Sequence, residues 1–222
     1  MTMVACNRLH YLVQTIECLK RNSLQGYTLF LGVEPTDEAV VEYCKRLDFM
    51  PINLTVNRTR LGVAWNPRAT INRAFESGSE FNVAIEDDLL LAPDALDLAN
   101  WFFSLNHRQF FSLNLCNYRS DPLFPSEIEA SSHFIPLGWA VTRAVWQTFL
   151  QPNWMCDERG WDFSVNKVLE SHPNERLLQP KLARSNHNGR DGGEHCTPEF
   201  HDRTFGQLRI SDGTSRNYYV CA

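Results

Sequence analysis

Short apolar runs alternate with segments of helical spacing through the first half of the chain. Met3 to Cys6 is an apolar start. Leu9 to Lys20 follows with Leu9, Leu12, Val13, Ile16 and Leu19 on one face, which predicts a helix. Tyr27 to Val33 is rich in β-formers and predicts a strand after Gly26. Thr36 reads as an N-cap, with Asp37 and Glu38 in the first turn of a helix that runs to about Leu47. Ile52 to Val56 predicts a third strand. Asn66 to Ser77 predicts a helix led by Pro67, and Phe81 to Ile85 a fourth strand.

This order predicts an α/β fold: a mostly parallel sheet with helices on both faces. Ligands of such sheets bind beyond the carboxyl ends of the strands. Asn7-Arg8, Glu34, the segment 58–62 and Glu86-Asp87-Asp88 fall there. The second half is less regular. Pro93-Asp94 opens a helix to about Phe103, Phe110 to Cys116 is strand-like, and 120–132 reads as a loop. A strand or strand-turn is expected over 134–141, helices over 143–150 and 161–171, and a mobile polar loop over 185–199. No internal repeat or low-complexity linker divides the chain, so one domain is expected over 1–222. Its regular half covers about 1–94 and its less regular half about 95–222.

Three consecutive acids between the apolar runs Val83-Ala84-Ile85 and Leu89-Leu90-Leu91 are costly to bury unless they bind something. A divalent cation on oxygen ligands suits a carboxylate pair at a strand end, where it would bridge a substrate diphosphate. The bland alternative is a solvated turn with capping acids. Arg58 and Arg60 could meet a diphosphate or make a solvated turn. Phe102, Phe103, Phe110 and Phe111 read as core.

Composition narrows this picture. The chain has 222 residues, 43% hydrophobic content and a net charge of −5. No global basic field exists for a polyanion, which disfavours nucleic acid as a partner. No apolar run approaches the ~18 residues that would span a bilayer, and no signal peptide opens the chain. A cytoplasmic protein of a bacterial or viral setting is expected. Seven cysteines, none spaced as CxxC, read as reduced packing thiols with no zinc site. The sequons at Asn53 and Asn57 would matter only in a secreted protein.

The segment Val83-Ala-Ile-Glu-Asp-Asp-Leu-Leu-Leu-Ala-Pro-Asp94 resembles the acidic motif of GT-A glycosyltransferases. It is nearest to N-acetylglucosaminyltransferase I and protein O-mannose β-1,2-N-acetylglucosaminyltransferase. Val4-Ala-Cys-Asn-Arg8, Phe134-Ile-Pro-Leu-Gly-Trp139, Trp161-Asp162 and the stretch from Pro180 to His195 resemble further motifs of that family in the same order. The resemblance runs from about residue 3 to 205. It implies a metal-dependent, inverting transfer of N-acetylglucosamine, or another hexose, from a UDP-sugar to an acceptor hydroxyl.

By that resemblance Asp88 matches the acid that binds Mn²⁺ (or Mg²⁺), Asp87 a ribose contact and Glu86 a contact to the donor sugar. Arg8 matches a nucleotide contact, and Glu34 stands where the family has a uridine-holding Asp. Asn72 or Arg73 falls near a uracil-touching His. Asp162 matches the general base, which takes the acceptor proton late in the attack. Trp139 and Trp161 would pack over it and exclude water. The resemblance makes about 1–94 the nucleotide-binding half and about 95–222 the acceptor half, with a mobile lid at 184–199. Arg190 and Glu194 match the diphosphate-facing stretch of that lid. His187 and His195 carry imidazoles suited to Mn²⁺. Other GT-A enzymes use a late His as a metal ligand, though the nearest family does not, so His195 is a candidate ligand against the alternative of a solvated loop histidine.

Two readings compete. A non-catalytic module that kept the donor pocket would lack the pair Asp88 and Asp162. A nucleotidyltransferase would carry a Gly-rich loop after the first strand, where Asn7-Arg8-Leu9-His10 has no glycine. The acceptor is open between a carbohydrate, a small molecule and a hydroxylated base of modified DNA.

Overall fold

The alternation of the first half folds into four parallel strands. In the computed structural model, which describes residues 1–105, 110–155, 160–191 and 196–221, β1 (Thr2–Ala5), β2 (Leu29–Val33), β3 (Ile52–Val56) and β4 (Phe81–Glu86) lie side by side. Helices α1 (Leu9–Leu19), α2 (Glu38–Lys45) and α3 (Gly62–Glu76) connect them. β1 sits between β2 and β4 and pairs with each in parallel. All five residues of β2 are buried, as a strand covered on both faces requires. β3 has only one neighbour and is the more exposed strand.

The acids of β4 are followed at once by β5 (Leu89–Leu91) and α4 (Ala95–Ser104). The second half then extends the sheet. β6 (Leu113–Asn114), β7 (Glu127–Ser131), β8 (Trp139–Thr142), β9 (Leu177–Pro180) and β11 (Tyr219–Val220) complete nine strands in the order β11-β7-β9-β6-β8-β4-β1-β2-β3. β8 runs antiparallel to both β4 and β6, so β6 is parallel to β4, and β9 is parallel to β6. The carboxyl ends of β1, β2, β3, β4, β6 and β9 therefore share one edge of the sheet. A separate hairpin-like pair joins β10 (Ser185–His187) to β5 and sets His187 opposite Leu89.

The first half of the core follows the apolar pattern. Leu12, Ile16 and Leu19 of α1 are fully buried against Met3, Leu31 and Val83 in one cluster. Each such side chain contributes about 1.5–3 kcal/mol relative to exposure. A second cluster on the other face gathers Trp139, Trp146, Trp154, Trp161 and Phe134, with Trp154 and Trp161 stacked at 4.6 Å. Among the described residues no helix is long and apolar enough to cross a membrane.

Several boundaries differ from expectation. Asp37, not Thr36, caps α2, accepting from Ala39 N and Val40 N. Helix α3 begins at Gly62, so Pro67 lies inside it rather than in its first turn. The expected loop 120–132 contains β7, whose Ile128 is buried while Glu129 pairs opposite Gln179. The expected helix 143–150 divides into α5 (Arg143–Val145), a π-helical turn over Trp146–Leu150 and α6 (Gln151–Asn153). Helix α7 spans Asp162–Ser171. The polar tail holds β10 and α8 (Pro198–Thr204). Arg184, expected at the start of a mobile lid, is wholly buried. It donates through Nε and Nη2 to Asp94 Oδ2 at 3.1 and 3.0 Å.

Candidate functional site

The shared strand edge opens into a cleft of about 230 Å³. Asn7 and Arg8 line it from the end of β1, Glu34 from β2, Arg60, Gly62 and Val63 from the start of α3, and the acid triplet from β4. His187 and Cys196 enter from the late chain. The sequence-selected residues Arg8, Glu34, Glu86, Asp87 and Asp88 thus meet in one place, with Asn7, Arg60 and His187 beside them.

The turn that carries the acids is pinned by α1. Thr15 Oγ1 donates to Asp87 O at 2.9 Å and accepts from Leu89 N at 3.0 Å. Asp87 Oδ2 accepts from Cys6 N at 3.1 Å, which ties the turn to the end of β1. Asp88 Oδ2 accepts from Arg8 Nη2 at 2.5 Å and faces His187 Nε2 at 3.2 Å. Thr15 carried no sequence signal, because a buried Thr in an apolar helix face looks like packing.

Arg8 faces Asp87 and Asp88, His187 faces Asp88, and the charges of the three acids respond. Glu86 is pushed well above the usual carboxylate range by burial and by the charges of Asp88, Asp87 and Asp162, against the pull of Arg8. Burial and Asp88 raise Asp87 to about 6. Burial also lifts Asp88, but the hydrogen bond and charge of His187, with those of Arg8, outweigh it and hold Asp88 below its ordinary value. Arg8 is desolvated, yet Asp88 and Asp87 raise it. Separating carboxylates that sit side by side is a common way for a site to keep one of them ionised.

The donor set suits a hard divalent cation. Asp88 Oδ1 is buried with no hydrogen-bond partner among the described residues, an orphaned acceptor that calls for a ligand. Gly189 packs against the other oxygen of the same carboxylate. A Cβ there would press into Asp88 Oδ2 and stand 2.7 Å from Arg8 Nη1. Among the described residues no three His, Cys, Asp or Glu side chains already converge as a cage. Asp88 and His187 are the two oxygen and nitrogen donors in place.

The second half contributes a wall. Glu86 also lines a small apolar cavity with Pro136, Trp139 and Trp161, so the two tryptophans stand behind the acids. Asp162 opens α7. It lines neither cavity, yet its charge reaches Glu86. Asn72 and Arg73 do not line the cleft. Asn72 Oδ1 accepts from Trp146 Nε1 at 2.9 Å and Gln151 Nε2 at 3.2 Å, and Arg73 Nη2 donates to Thr70 Oγ1. Arg190 is exposed, and Asp202 holds it in a two-pronged pair at 2.9 and 3.0 Å. Glu194 and His195 lie outside the described residues.

The mixed α/β fold, a large and mostly parallel sheet flanked by helices, matches that of solved glycosyltransferase structures. The mannosyltransferase PcManGT from Pyrobaculum calidifontis, in complex with GDP-Man and Mn²⁺, is similar at a TM-score of 0.56 and 14% identity, over 81% of this chain and 54% of that one. TarS residues 1–349 from S. aureus, in complex with UDP-GlcNAc, is similar at a TM-score of 0.58 and 12% identity, over 87% of this chain and 60% of that one. The chain thus spans 54–60% of the length of these structures. No protein-family model matches it.

Proposed function

We propose that the chain is a glycosyltransferase that moves a sugar from a UDP-sugar to an acceptor hydroxyl, with inversion and with a divalent metal. The observation that carries this reading is the convergence of Arg8, Asp87, Asp88 and His187 at the strand ends of a fold shared with nucleotide-sugar-bound structures. Asp88 and His187 would hold Mn²⁺ or Mg²⁺. Bound there, the cation would neutralise charge on the departing diphosphate. Arg8 would face the same phosphates from the end of β1. Asp87 would meet the ribose and Glu86 the donor sugar.

Asp162 is the proposed base. As the acceptor oxygen attacks the anomeric carbon, the bond from that carbon to the diphosphate oxygen breaks, and its electron pair leaves with UDP. The hydroxyl proton passes to the Asp162 carboxylate. Trp139 and Trp161 exclude water on that side. N-acetylglucosamine is the proposed donor sugar and a carbohydrate the proposed acceptor.

One observation favours a variant of this reading. Arg8 already occupies Asp88 at 2.5 Å. A guanidinium in that place could itself carry the phosphate charge, which would make transfer independent of metal. The test is a panel of UDP- and GDP-sugars with Mn²⁺ or with EDTA, reading sugar release. Release from a UDP-sugar with Mn²⁺ alone supports the metal reading, and equal release in EDTA supports the arginine variant. Asp162→Asn should bind donor and lose transfer. Transfer that survives in that variant removes Asp162 from the role of base.

A further inference from the structure

We infer that Glu34 is a positioning residue that caps helix α3 from across the sheet and does not read the nucleobase. The inference rests on the reading of the cleft as a nucleotide-sugar site. Glu34 directly follows β2, is 3% exposed and lines the cleft. Its carboxylate is already engaged by one loop. Oε1 accepts from Gly62 N at 2.8 Å and from Leu61 N at 3.2 Å. Oε2 accepts from Leu61 N at 3.0 Å and from Asn57 Nδ2 at 3.2 Å.

The two backbone donors, Leu61 N and Gly62 N, are among those a helix start leaves orphaned. Leu61 is the N-cap of α3 and supplies no side-chain cap of its own. Gly62 is the first helical residue, at φ +79, a backbone that suits glycine. Glu34 therefore does from 27 residues away what Asp or Ser does locally in most helices. Its charge also sits on the positive end of the helix dipole.

Two consequences follow for the donor. An ionised carboxylate offers about four lone-pair directions, and three donors of the loop, with Leu61 N shared between the two oxygens, make four contacts to it. A carboxylate so engaged and only 3% exposed is turned to the loop rather than to the N–H groups of uracil or guanine. In addition, the amino end of α3 is filled by an anion, so the donor phosphates are directed to the Arg8 side. What Glu34 delivers is shape: the loop it holds sets Arg60, Gly62 and Val63 as one wall of the cleft. An Asp at this position would fall short of the loop by about one carbon–carbon bond, ~1.5 Å.

The test uses the full chain with UDP, GDP and CDP as probes, in Glu34→Ala and the isosteric Glu34→Gln. Affinity is read by calorimetry, and amide exchange is read at Leu61, Gly62 and Val63. Glu34→Ala should weaken all three nucleotides by the same factor, about tenfold, which is the loss of one good helix cap. The order of preference among them should not change, and the three amides should exchange faster. Glu34→Gln keeps one acceptor oxygen and should recover part of both effects. A changed ratio of UDP to GDP affinity with unaltered exchange would overturn the inference and make Glu34 a base contact. If the wild-type chain bound none of the nucleotides, the donor reading would fall. Exchange would then decide the cap by itself, and unchanged exchange in Glu34→Ala would refute it.

Discussion

Gly189→Ala is the smallest change that reaches the proposed metal position. Gly189 is buried, and Asn188 N beside it donates to Asp88 O at 2.7 Å, so the segment cannot lift away freely. The new Cβ would stand 3.0 Å from Asp88 Cγ and 2.7 Å from Arg8 Nη1, and closer still to Asp88 Oδ2. Its backbone φ lies outside the left-handed region, so the penalty is steric rather than conformational. The Arg8 side chain can swing aside, but Asp88 is 4% exposed and tied on its other flank to His187 at 3.2 Å. Overpacking of this kind costs about 1–3 kcal/mol, and the charged hydrogen bond between Arg8 and Asp88, if broken, has a similar value. A loss of about 2 kcal/mol lowers Tm by about 4–8 °C in a domain of this size. Calorimetric melting and UDP titration with Mn²⁺ check it together. A variant that melts within a degree of wild type and binds UDP equally would refute the placement of Gly189 over Asp88, and with it the tight cradle on which the metal reading leans.

Three further outcomes are expected. Asp87 has a folded pKa of about 6 against an ordinary 3.8, so the folded state binds its proton more tightly than the unfolded state. Stability of the metal-free protein is then greatest below about pH 4 from this group and falls as pH rises through 6, by up to about 3 kcal/mol. Asp87→Asn keeps an acceptor for Cys6 N and should flatten that slope in urea melts between pH 4 and 7, whereas an unchanged slope would discredit the shift. Arg184→Met strands the buried Asp94 carboxylate and should cost about 3–5 kcal/mol. Adding Asp94→Asn should return part of it, and a double variant no more stable than the single one would count against a charge effect. His187→Ala should raise the Mn²⁺ concentration that half-saturates UDP binding by about ten- to a hundredfold. No change would leave Asp88 without its proposed nitrogen partner.

The first four strands and their connecting helices were legible because each is a local pattern. Val83-Ala84-Ile85 before three acids marks a strand end by composition alone, and the convergence of Arg8, Glu34 and Asp88 follows from parallel topology. The second half was less legible. β7 hides among prolines because its pairing with β9 is made across 50 residues, between Glu129 and Gln179. Asn72 does not line the cleft and is instead bonded to Trp146 and Gln151, a placement that only the packing of Trp146 against α3 decides.

By itself, then, the sequence determined the parallel half-sheet, the acid turn and the cluster of charge at its strand ends, because hydrophobic period and strand order are local and repetitive. Tertiary structure alone decided that His187 meets Asp88 across 99 residues, that Thr15 pins the turn, and that Glu34 caps α3. Those contacts depend on register and rotamer at distant points of the chain. No short-range pattern encodes them, because each becomes available only once the sheet has set the distance between its strand ends.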